Sequence, residues 1–143
     1  MSALRSVAIG VWAAWRTPGT IARGLRSLVA PEVRSSPRDS AVYDAPLAQR
    51  AAHAAIARFA RLAPSQWRNT CLYRSVAECL ALRALGLPAR VMIGVGTGTT
   101  DEVIAHAWVE CDGIVSLATR GDAELETMAE SGRRVSSSGA GAR

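Results

Sequence analysis

The feature that most constrains this chain is a change of period at Gly86-Leu87-Pro88. Before it, apolar residues recur at the three-and-four spacing of helices; after it, they run in short extended blocks. Helices followed by a small sheet is therefore the expected order, an α+β architecture. Leu72, Val76, Cys79 and Leu80 form the apolar stripe of the helix just before the switch. That helix is expected to start at Thr70 or Cys71 and to stop at Gly86, where a left-handed C-terminal glycine belongs. Beyond Pro88, Arg90 to Val95 reads as one strand, a Gly/Thr-rich loop spans Gly96 to Thr100, and Val103 to Glu110 reads as another. Asp112-Gly113 is a two-residue hairpin signal, which predicts that Ile114 to Leu117 folds back antiparallel.

Upstream, Leu4, Val7, Ala8, Val11, Trp12 and Trp15 share one helical face; with Trp12 or Trp15 exposed, these N-terminal helices are expected either to dock a partner or to cap the domain. Thr17-Pro18-Gly19 should end this helix and cap a second, marked by Ile21, Leu25 and Leu28. Pro31 to Ser40 reads as a loop. A third helix is expected from about Pro46 to Leu62, with Ala52, Ile56 and Phe59 on one face and His53 beside it. This gives N-terminal helices and a loop over 1–45, a core over 46–129, and a Ser/Gly/Arg-rich disordered tail over 130–143.

With 143 residues and nearly half of them apolar, the chain can bury one real core but not two. All 17 basic residues are Arg and they are scattered, with no aromatic-and-basic platform, so nucleic acid is not an expected partner. The apolar run from Val7 to Trp15 is too short to span a bilayer, so a membrane is not expected either. Three cysteines without a CxxC pair, Cys71, Cys79 and Cys111, form no closed disulfide framework and fit a reducing cytoplasm. Their spacing with His106 matches no zinc pattern, and no cofactor motif is present.

Asn69-Thr70-Cys71 places a thiol at a helix start, where free backbone N–H groups favour thiolate and can hold an oxyanion. Position alone reads equally well as a small packed residue. His106 interrupts the apolar strand; by alternation it shares a face with Trp108 and Glu110, opposite Ala105, Ala107 and Val109. A strand histidine is often structural, but a helix-start Cys followed by a strand His is the pairing that papain-like folds use. Gln66, five residues before Cys71, sits where such enzymes carry an oxyanion-stabilising Gln, although a solvated surface role also accounts for it. Trp67 is a candidate cover or peptide contact, and Arg74 is expected to pair with Glu78 one turn on.

Thr70-Cys71-Leu72-Tyr73-Arg74-Ser75, the Leu-rich helix after it, Arg90 to Gly94, and Ala105-His106-Ala107-Trp108-Val109-Glu110 with the Gly113 turn resemble the transglutaminase-like peptidase of the lasso-peptide B protein family. The likeness spans residues 45–118, and the short helical N-terminus is similar to that of the stand-alone form. It implies a papain/transglutaminase-like cysteine peptidase that removes the leader from a ribosomally made precursor peptide. It also implies a separate leader-recognition protein and a macrolactam-forming cyclase as partners. Cys71 and His106 match two members of the implied Cys-His-Asp triad. The acidic position on the strand after the turn is Ala118 here, and Asp122 is the nearest substitute. A degenerate peptide-binding scaffold and an acyltransferase with the same Cys-His pair are the alternative outcomes.

Overall fold

A computed structural model of the chain describes residues 3–29, 39–97 and 103–111. Its elements, in order, are α1 (Ala3–Arg23), α2 (Arg26–Val29), α3 (Asp39–Leu62), α4 (Cys71–Ala84), β1 (Arg90–Thr97) and β2 (Val103–Glu110). The strands pair antiparallel, with Arg90 opposite Glu110 and Gly94 opposite His106. The fold is α+β, as the change of period predicts, and β2 has the expected ends. The hairpin at Asp112-Gly113, the returning strand Ile114 to Leu117, Ala118, Asp122 and the tail over 130–143 lie outside the described residues.

Three expectations for the helices need correction. The chain does not break at Thr17-Pro18-Gly19: α1 runs through Pro18 and ends at Gly24, whose φ of 93° is the left-handed conformation that stops the helix. Proline is tolerated there because the carbonyl it deprives of a donor, that of Ala14, instead accepts a hydrogen bond from Trp67 Nε1 at 3.2 Å. The second helix is consequently a single turn, α2. The third begins at Asp39, not near Pro46, so Asp39 and Ser40 belong to a helix rather than to the expected loop and position 45 lies within α3.

The inward face of α1 is the one lined by small residues, not the apolar stripe. The buried residues are Ser6, Gly10, Ala13, Ala14 and Thr17, whereas Leu4, Val7, Val11, Trp12 and Trp15 stay exposed. Small residues win because they let the helix backbones approach: a Cβ on Gly10 would lie 2.4 Å from the Ala48 carbonyl oxygen of α3. Opposite them α3 presents its own alanines, Ala48, Ala52 and Ala55, and α4 adds Ala77 and Ala81. Ile56, Trp67 and the ring of Phe59 fill the remaining space, with Trp15 packed edge-on to Phe59 at 6.0 Å. A second cluster, built of larger side chains, joins the opposite face of α4 to the sheet through Val76, Leu82, Leu87, Val91 and Val109. Helix α4 is thus buried between the helices and the sheet.

Candidate active site

Helix α4 starts at Cys71 because Thr70 takes an extended conformation and its hydroxyl accepts from Tyr73 N–H, at 3.5 Å. Asn69 Oδ1 in turn accepts from Arg74 Nε at 2.8 Å, tying the entry loop to the first turn. Tyr73 adds a third link by donating its hydroxyl to the Gln66 carbonyl at 3.2 Å. Cys71 is therefore held at the first helical position, half-buried, with a free thiol. The N–H groups of Cys71 and Leu72 have no intrahelical acceptor, the requirement for stabilising negative charge on a bound carbonyl.

Strand β2 carries the second group. Ala107 and Val109 are buried against α4, so His106 and Trp108 share the other, half-buried face. Their rings stack nearly parallel, 14° apart with centroids at 6.1 Å. The Trp108 ring lies across Gly94, the β1 residue paired with His106, where an added Cβ would come within 2.9 Å of it. An isolated glycine in a strand is the sequence sign of such a close approach. Gly94 and Trp108 are thus site-shaping residues that periodicity alone does not mark.

A buried hydrogen bond links the two elements: Ser75 Oγ donates to the Ala107 carbonyl at 2.8 Å. Ser75 lies one turn after Cys71, and Ala107 one residue after His106. Among the described residues no hydrogen bond joins Cys71 to His106 itself. In unliganded enzymes such pairs are commonly long and tighten only around substrate.

The other candidates resolve differently. Trp67 belongs to the core and does not cover the site; its ring packs on Phe59 at 5.3 Å and its N–H is spent on Ala14. Arg74 pairs with Asn69 and not with Glu78, because Glu78 lies on the buried side of α4. There both Glu78 oxygens have partners, Gln49 Nε2 at 2.8 Å and His53 Nε2 at 3.1 Å. His53 thus has a structural partner in the core, consistent with its place beside the apolar face of α3. Gln66 is exposed. Cys79 is fully buried, donates to the Ala89 carbonyl at 3.5 Å, and has its thiol pushed up to about 12 by burial, against the opposing pull of Arg83. Among the described residues no group of three His, Cys, Asp or Glu side chains is placed to hold a metal ion. Nor is any described helix long and apolar enough to cross a membrane.

The model of the transglutaminase-like superfamily covers residues 3–130. The chain belongs to that superfamily. Its fold is therefore of the type used by cysteine peptidases and acyltransferases, commonly cysteine-dependent enzymes. No curated protein and no solved structure gives a significant match. The superfamily match takes in α1 as well as the sheet, in agreement with the shared packing of α1, α3 and α4.

Proposed function

We propose that the chain is a cysteine peptidase that cleaves the leader from a ribosomally made precursor peptide, the step preceding macrolactam closure in lasso-peptide biosynthesis. The observation that carries this reading is the Ser75–Ala107 hydrogen bond, which ties the helix opening on Cys71 to the strand bearing His106. The resemblance of Thr70 to Ser75 and of Ala105 to Glu110 to the lasso-peptide B proteins supplies the substrate class.

In the mechanism, the Cys71 sulfur attacks the carbonyl carbon of the leader–core bond, and its proton passes to His106. The backbone N–H groups at the start of α4 receive the oxyanion. His106 then gives that proton to the departing amine, which leaves as the free N-terminus of the core peptide. Water, deprotonated by His106, hydrolyses the thioester, releases the leader carboxylate and restores the thiol. Asp122 is the carboxylate assigned to orient the imidazole, the role that the residue at Ala118 would otherwise fill. A separate leader-recognition protein presents the substrate, the cyclase takes the product, and the cytoplasm supplies the reducing surroundings that three free cysteines need.

The test is cleavage of the precursor by the purified chain together with its recognition protein, read by mass spectrometry of the leader. Cys71→Ala and His106→Ala should each lower the rate by about a thousandfold or more. Wild-type rates in both variants would dispose of the proposal. Binding without turnover in the wild type would identify a scaffold, and leader transfer to an added amine an acyltransferase.

A further inference from the structure

The outer face of α1 is apolar where the inner face is small. Leu4 is 82 % exposed, Trp12 48 % and Trp15 62 %, with Val7 and Val11 between them on the same stripe. Packing against α3 through Gly10, Ala13 and Ala14 holds the helix in place with this ridge pointing outward. Trp15 stays exposed although its ring also contacts Phe59 and Trp67, so the ridge is rigidly backed and not a frayed end.

The charges on α1 itself are all of one sign; the carboxylate of Asp44 on α3 meets the helix at Ser6, on its inward face. No Asp or Glu precedes Glu32, while Arg5, Arg16 and Arg23 lie on α1 itself. Their separations bring all three back to one flank of the helix within about 20° of each other. Each of the three is exposed. The asymmetry extends along the chain: eleven arginines and three carboxylates come before Glu78, and six arginines and nine carboxylates from Glu78 onward.

We infer that α1 is a membrane-surface anchor that lies in the interface of an anionic bilayer, its Leu4–Trp15 ridge among the acyl chains and its arginine row among the headgroups. A tryptophan-bearing stripe edged by arginines, on a helix that carries no acidic residue, fits a bilayer surface better than the concave groove a partner helix would need. The inference stands apart from the peptidase proposal and replaces the expectation that no membrane is involved. The exposure of this apolar face is what makes a peripheral mode available, with no described helix long and apolar enough to span a membrane.

The experiment is co-sedimentation of the purified full chain with vesicles of phosphatidylcholine alone or mixed with phosphatidylglycerol, with tryptophan emission recorded in parallel. Binding should be at least tenfold stronger to the anionic vesicles, weaken with added salt, and shift the emission to the blue. The pair Leu4→Ser with Trp12→Ser, at exposed positions that circular dichroism should show to be tolerated, should lower binding at least tenfold. Arg5→Gln with Arg16→Gln should lower it on anionic vesicles only, by about fivefold per arginine. No sedimentation with either vesicle overturns the inference, as does binding unchanged by the Leu4/Trp12 pair. A salt-insensitive dimer in solution that the same pair dissolves would assign the ridge to a second copy and overturn it too.

Discussion

The two halves of α4 contrast within a single element. Its N-terminal half opens on Cys71, half-buried, its cap a long hydrogen bond from Tyr73 N–H to Thr70 and its firmest tie the buried bond from Ser75 to Ala107. Its C-terminal half is anchored at several points. Arg83 alone donates to the carbonyls of Ala89 at 2.7 Å, Ser27 at 2.6 Å and Leu28 at 3.2 Å, joining the helix to the start of the sheet and to α2. Cys79 sits within that anchored half with its thiol held by burial far from the reactive range. Two cysteines of one helix therefore differ in burial, Cys71 half-buried at its start and Cys79 fully buried within it. The proposed mechanism needs a thiol where backbone N–H groups are free.

The contrast can be broken most severely at its anchored end. Arg83→Ala removes donors from three carbonyls and should cost about 3 kcal/mol of unfolding free energy, measured by chemical denaturation. Cys79 provides a second handle through pH. Its thiol titrates near 9.0 in the unfolded chain and near 12 in the fold, so the unfolded state sheds the proton first as pH rises. The fold should therefore lose stability between those values, by up to about 1.4 kcal/mol per pH unit. The chain has no Lys, which keeps the alkaline background small, and Cys79→Ala should flatten the slope in denaturation curves taken from pH 8 to pH 11. The smallest effect belongs to the open end. Thr70→Ala should cost only about 0.5–1 kcal/mol, since the capping bond is long, with a loss as large as that for Arg83→Ala reversing the contrast.

Much of this layout is legible in the sequence, for reasons that differ from place to place. The end of α4 at Gly86, with φ of 86°, and the strand over Val103 to Glu110 follow from local chemistry: a residue free to turn left-handed, and alternation with a fixed face. Cys71 at the helix start is legible for the same reason, since Thr70 is a good cap. The inward face of α1 is not, because hydrophobic size suggests Leu4, Val7 and Trp12, while the decision lies in how closely α3 can approach Gly10. Pro18 is misleading in the same way: its effect depends on Trp67, far along the chain, donating to the carbonyl it orphans. The Ser75–Ala107 bond is likewise a tertiary fact, visible beforehand only as a small polar residue in the middle of an apolar helix.

The most direct test of the account is alkylation of the native chain with limiting iodoacetamide at neutral pH, followed by peptide mass spectrometry. Cys71 should be modified at least tenfold faster than Cys79, and its modification should abolish leader cleavage in step. Equal modification of the two, or loss of cleavage tracking Cys79, would contradict the division of α4 into a reactive end and an anchored one.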